Sequence, residues 1–305
     1  MSQTEKPYKR SFFNREGIEG TLLYAPSLII IFFIVFYPIG FATKMSTYYY
    51  HLVRLKDTQF IGLENYFRIL SDPNFWGSLK RGFFFTFGSL IPQMVIGLAI
   101  AQLLNHPRLK FKTLWRGLVI MPWLVPTVTV AIVFKWMFND IYGIVNHGLL
   151  SMGLIQEAIP WLALEDAAMG ILIVANVWRG LPLMVTMFLA GLQGIPSELH
   201  EAARVDGASR IQSYFRITLP LLLPVVMIAG VLRTIWIFNF YDLPWVMTRG
   251  GPSGATETPP VYAYLRAFSG YRLGEGSAIT ILLFLILLAF ALLYFKVRKR
   301  FSDED

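Results

Sequence analysis

The chain has 305 residues, 55% hydrophobic and 15% charged, with a net charge of +8. Soluble domains carry about 25% charged residues, and here the deficit is concentrated in long uncharged stretches, which excludes an ordinary soluble fold. Zero cysteines exclude disulfides, Cys-ligated zinc and thiol nucleophiles, and the basic residues sit beside apolar segments, which fits membrane orientation better than nucleic-acid binding.

Residues 1–20 are polar and basic and are expected to form a cytoplasmic tail. Thr21–Thr43 is uncharged and too long for the apolar region of a signal peptide, so it is expected to stay in the protein as a first span. Further spans are expected at 83–104, 117–138, 168–193, 217–241 and 277–295. Each is long enough to cross ~30 Å of hydrocarbon as a helix. Together, 21–295 form an all-α polytopic membrane domain of six helices, followed by a basic tail at 296–305. Pro26, Pro38, Pro92, Pro122, Pro126, Pro182 and Pro224 fall inside these spans, where neighbouring helices can satisfy the freed backbone groups. Tyr48–Tyr50 and Trp76 read as interface aromatics, the Phe83–Phe87 cluster as lipid-facing, and Lys296–Arg300 as an orientation anchor.

With both termini cytoplasmic, 15 of the 27 Lys and Arg fall on the cytoplasmic side, nine outside and three within spans. The short loops discriminate most sharply. Asn105–Arg116 has four Lys/Arg and no acid, whereas Asn139–Ala167 has none and four acids. Positive-inside bias therefore favours that orientation in a bacterial inner membrane.

The fourth loop, 194–220, lies between spans four and five on the cytoplasmic side. Ser197 is a plausible N-cap with Glu198 in the first turn. Glu198–Arg204 suits an amphipathic helix, Asp206-Gly207 a turn, and Ala208–Ile217 a second helix, with Pro220 opening the next span. A cytoplasmic helix–turn–helix of this kind suits a groove on a partner, or lies on the membrane surface.

Glu201-Ala202-Ala203, then Gly207, then Ile217-x-Leu219-Pro220 keeps every spacing of the EAA loop, and the segment resembles that loop of binding-protein-dependent ABC importer permeases. Ala190–Pro196, Val205–Ala208, Thr248–Pro252, and Phe138–Asn146 with its Gly143 and Asn146, narrow the resemblance to the carbohydrate-uptake, MalF-like branch. It covers about residue 20 onward, and it departs from maltose permease in having six spans and no large periplasmic insertion. The resemblance implies a type I importer permease fold in which 194–220 is a coupling-helix loop. It also implies that Glu201 pairs with a basic residue of an ATPase, that Gly207 permits the bend, and that Ala202, Ala203, Asp206, Ile217, Leu219 and Pro220 complete the ATPase-coupling segment.

The chain has no G-x-x-x-x-G-K-[ST] phosphate loop and no His cluster at metal spacing. It is therefore expected to act as a transport subunit and not as an enzyme, with ATP and Mg bound by partner ATPases. The resemblance implies a homologous second permease, two ATPase subunits and an extracytoplasmic solute-binding protein that docks on 43–82 and Gly250–Gly270.

Arg179 and Arg233 lie deep in spans four and five, and no Asp or Glu lies within any span. Charges at that depth are costly and usually face a polar pathway. Asn176, Arg179, Gly180 and Leu183 share one helical face, as do Arg233, Trp236, Ile237 and Phe240. Counting outward from Glu201, the resemblance makes these substrate-lining positions. Trp236 and Phe240 would offer a sugar an aromatic face, and Asn176 and Arg179 polar groups. An anionic sugar (a uronate, or a sulfonated or phosphorylated sugar) would match the two guanidinium groups. Neutral sugars, an acid of the partner, or carbonyls freed by Pro182 or Pro224 are the other candidates. An ion-gradient transporter is the alternative function, but it should show inverted repeats and an intramembrane acid, and neither is seen. A membrane receptor or scaffold is a third, weaker reading.

Overall fold

The computed structural model describes residues 15–302. The N-terminal tail expectation lies outside the described residues over 1–14, and the C-terminal one over 303–305.

The elements run in chain order as follows. Helix α1 (Arg15–Ile31) continues through a π-helical segment, Phe32–Phe36, into α2 (Tyr37–Ser46). Two strands of two residues each, β1 (Tyr48–Tyr49) and β2 (Gln59–Phe60), pair antiparallel, so two of the three tyrosines read as interface aromatics sit in a small sheet. Next come α3 (Glu64–Leu70), α4 (Pro73–Asn105), α5 (Lys112–Leu124), α6 (Thr127–Met137), α7 (Ile144–Ser151) and α8 (Glu165–Gln193). The chain continues through α9 (Ser197–Val205), α10 (Arg210–Ser213), a π-helical segment at Tyr214–Thr218 and α11 (Leu219–Phe238). It ends with α12 (Asp242–Thr248), α13 (Pro259–Tyr264) and α14 (Leu273–Ser302).

Among the described residues, five stretches are long and apolar enough to cross a membrane: Leu23–Ser46, Pro73–Asn105, Glu165–Gln193, Arg210–Phe238 and Leu273–Tyr294. The sixth expected span, 117–138, is not one straight helix. It is the pair α5 and α6, bent by 92°. The cause is local. Val125 is extended, with φ −80° and ψ 126°, as expected for a residue before proline, and Pro126 then opens α6. Span two begins ten residues earlier than expected, at Pro73, because Asp72 caps it by accepting from the Asn74 backbone N–H at 2.9 Å.

Helix α4 packs lengthwise against α8, and α11 closes against both. Glycines let the backbones approach: a Cβ at Gly97 would lie 2.7 Å from Met184 Cβ, and one at Gly88 2.8 Å from Ile173 Cδ1. Phe85, Leu172, Met184, Phe188, Leu222 and Ile237 fill this core. Phe85 thus departs from the lipid-facing expectation for its cluster, while Phe83, Phe84 and Phe87 stay exposed. Among the described residues, the first span buries nothing before Met45 and Ser46.

Ion pairs clamp the end of the bundle where α4 begins. Asp72 accepts from the Tyr262 hydroxyl at 2.7 Å and pairs with Arg266. Glu275, nearly buried, receives Arg272 at 3.2 Å and Arg68 at 3.6 Å. Burial works against the Asp72 carboxylate, but the Tyr262 hydroxyl, the Asn74 N–H and Arg266 prevail and hold its pKa below the ordinary value. Asn146 ties the α6–α8 connection. Its side chain donates to Ile159 O at 2.9 Å and accepts from Trp161 Nε1 at 2.9 Å.

Candidate functional site

Midway along the bundle, α4, α8 and α11 each contribute one polar side chain to a common point. Arg233 is 5% exposed and must be satisfied inside the protein. Its Nε donates to Gln93 Oε1 at 2.7 Å, and its Nη2 to Asn176 Oδ1 at 3.3 Å. Gln93 in turn donates through Nε2 to the Asn176 backbone oxygen at 2.8 Å. Two neutral amides, and no proline-freed carbonyl, therefore hold this guanidinium. The triangle needs a glycine beside it, because a Cβ at Gly180 would run into Arg233 Nη2 and Gln93 Nε2. Gly180→Ala should therefore lower stability by about 1–3 kcal/mol, the usual cost of overpacking, read as a lower midpoint of thermal unfolding in detergent.

Beside the triangle lies a cavity of about 260 Å³ lined by Asn176, Arg179, Arg233, Ile235, Trp236, Ile237, Asn239 and Phe240. Six of the eight positions read from the sequence meet here. Gly180 does not line it and instead makes room for the triangle, and Leu183 faces elsewhere on α8. Gln93, Ile235 and Asn239 were not singled out from the sequence. An amide at the middle of the uncharged run Phe83–Leu104, with Gln102 only near its end, was the available signal for Gln93, since a polar group at that depth must find a partner.

The cavity presents donors. Arg179 Nε and Asn176 Nδ2 are buried without a partner, and the Arg179 guanidinium carbon stands 5.4 Å from the centre of the Phe240 ring. Among the described residues no carboxylate lines it, although Asp242, exposed at the start of α12, exerts an attraction on Arg179. A larger apolar groove of about 530 Å³ between α2, α13 and α14 shares Asn239 with it. The smaller cavity is the candidate because the unsatisfied donors are there.

The 194–220 loop forms a second candidate site at the other end of α4 from Asp72. Helix α9 stops at a left-handed Gly207, φ +78°. The Gly207 N–H bonds Arg204 O at 3.2 Å, and the Ala208 N–H bonds Ala203 O at 2.9 Å, which is the two-bond glycine cap that satisfies orphan carbonyls. Ser197 is not the N-cap. Pro196 holds that position without a side-chain bond, since a proline at the boundary already sets the extended entry. The side-chain cap appears instead at Ser209, which exchanges bonds with Gln212.

The second helix does not stop before Pro220. From Arg210 it passes through the π-helical turn directly into α11, so Ile217, Leu219 and Pro220 lie within one continuous helix. Glu201, Ala202, Asp206 and Gly207 are exposed, Ala203 is half-buried, and Glu201 has no ion pair among the described residues. Val205, Ile211 and Phe215 form an uncovered apolar row, 87%, 72% and 60% exposed. Two bonds fasten the loop: Gln102 Nε2 to the Tyr214 hydroxyl at 2.8 Å, and His200 Nδ1 with Ser213 Oγ at 2.9 Å.

A family model described as "binding-protein-dependent transport system inner membrane component" matches residues 93–303. The chain is 38% identical over 292 residues to the trehalose/maltose transport system permease protein MalF of Thermococcus litoralis, covering 93% of this chain and 95% of the relative. It is 34% identical over 280 residues to the sulfoquinovosyl glycerol transport system permease protein SmoG of Agrobacterium fabrum, covering 91% and 89%. Its backbone follows a chain in the crystal structure of a bacterial ABC transporter involved in import of the acidic polysaccharide alginate. The TM-score is 0.80 at 22% identity, over 93% of this chain and 98% of that one.

Proposed function

The chain belongs to the inner-membrane components of binding-protein-dependent transport systems, and from that premise we propose that it carries an anionic sugar or sugar-like solute inward through the cavity at Arg179. Its relatives are ABC permease subunits, transport components and not enzymes, and some are named for sugars. What carries the anionic reading is the pair of buried, unpartnered donors, Arg179 Nε and Asn176 Nδ2, beside two guanidinium groups and no lining carboxylate. A sulfonate, phosphate or carboxylate accepts from such a fork in two directions at once, while Phe240 and Trp236 offer faces for a sugar ring. Two of the similar proteins are named for cargo of that kind, sulfoquinovosyl glycerol and alginate.

The driving force enters at 194–220. Partner ATPases bind ATP and Mg and supply the hydrolysis energy. Glu201 and the apolar row Val205, Ile211 and Phe215 dock on them from the cytoplasmic side, with both termini on that side. Because α10 is continuous with α11, a displacement of the docked loop rotates the helix that carries Arg233 and Trp236, with Phe240 just beyond its end. A second permease completes the pathway, and an extracytoplasmic binding protein delivers the solute onto 43–82 and Gly250–Gly270. One relative of known structure was solved with its solute-loaded periplasmic protein.

The test is uptake into vesicles holding the whole transporter and its binding protein, comparing sulfoquinovosyl glycerol with trehalose. ATP-dependent uptake favouring the sulfonated glycoside is expected. Uptake driven by an ion gradient without ATP would sink the proposed coupling, and uptake of trehalose alone would sink the anionic cargo.

A further inference from the structure

We propose that Gln93 is a positioning residue that sets solute selectivity by dividing the labour of the two arginines. This rests on the cavity at Arg179 being the solute site. Gln93 is fully buried, does not line the cavity, and reaches two of its lining residues through hydrogen bonds. Its amide faces both ways: the oxygen takes Arg233 Nε, and the nitrogen donates to the Asn176 backbone oxygen. The side chain it anchors, Arg233, is 5% exposed and spends a second donor on Asn176 Oδ1. Asn176 is thereby oriented with Oδ1 toward Arg233 and Nδ2 left without a partner.

Arg179, by contrast, has no side-chain hydrogen bond among the described residues and leans on Phe240. Gln93 therefore keeps Arg233 as a fixed background charge behind the cavity, and leaves Arg179 with Asn176 Nδ2 as the pair that grips the solute. Two free guanidinium groups would fold onto a small anion from either side. One fixed and one free group accept an anion in a single pose. Gly180 belongs to the same device, since only a residue without Cβ leaves room for the Gln93–Arg233 bond.

Phenylglyoxal labelling of arginines in the assembled transporter, read by mass spectrometry, reports the division directly and needs no solute. Arg179 should react about tenfold faster than Arg233, a protection expected of a hydrogen-bonded, buried guanidinium. In Gln93→Leu, Arg233 should approach the rate of Arg179 while Arg266 is unmoved. A general rise that includes Arg266 would mean a disordered variant, and the decision then falls to Gln93→Glu, which keeps an acceptor for Arg233. That variant should hold Arg233 protected and, by placing a carboxylate beside it, lower the preference for sulfoquinovosyl glycerol over trehalose about tenfold.

Equal protection of Arg233 in wild type and an ordered Gln93→Leu overturns the positioning role. An unchanged preference in Gln93→Glu overturns the selectivity role. Wild-type transport of trehalose alone overturns only the anionic reading, and the labelling result then stands by itself.

Discussion

Arg179→Ala is expected to raise the concentration of sulfoquinovosyl glycerol needed for half-maximal uptake by about 10- to 100-fold. Of the two intramembrane guanidinium groups, Arg179 is the one left free to meet a solute: its Nε is buried without a partner, while Arg233 is committed to Gln93 and Asn176. A hydrogen bond to a charged group contributes roughly 1.5–3 kcal/mol, and each ~1.4 kcal/mol is a factor of ten in affinity. Arg179→Lys should recover part of the loss, since it restores the charge but not the planar fork. Trehalose uptake should move much less. A loss of equal size for both glycosides would assign Arg179 a packing role against Phe240 and contradict its role as the anion contact.

Glu201→Ala should uncouple the transporter. In the proposed docking, this exposed carboxylate, with exposed Val205, Ile211 and Phe215 in the same loop, would become a buried, paired charge under the ATPase. Truncating one member of such a pair costs about 2–5 kcal/mol, enough to reduce ATPase binding by roughly 30-fold or more. Gly207→Val should act in the same direction through the backbone. It forces a β-branched residue to φ +78°, a strain of about 1–3 kcal/mol, and opposes the turn that ends α9. The measurement is co-purification of the ATPase with the detergent-solubilised permease pair, beside solute-stimulated ATP hydrolysis. Wild-type binding and stimulation in Glu201→Ala would remove 194–220 from the coupling pathway.

The spans were legible in the sequence because the bilayer imposes one simple demand. A run of about 20 predominantly apolar residues has few other folds available, so five of the six expected spans appear as long helices. The sixth shows where that rule stops. Hydropathy counts apolar residues and is blind to direction, and the 92° bend at Val125-Pro126 is a backbone event that leaves hydropathy unchanged. The turn at Asp206-Gly207 was readable for the opposite reason. Left-handed geometry favours glycine so strongly that the residue announces its conformation. Ser197 misled because a good capping residue stood one position too late, after a proline that had already fixed the entry to α9.

By itself, the sequence determined that this is a helical membrane permease with a helix–turn–helix loop between two of its spans, and that two arginines lie where a charge needs a reason. Those properties follow from local composition and spacing. Only the tertiary structure decided what each arginine does. Whether a guanidinium is bound or free depends on which side chains other helices bring to it, and Gln93 lies 140 residues from Arg233 in the chain. No local pattern encodes that meeting. The packing of α4 against α8 and α11 ties Arg233 down and leaves Arg179 open.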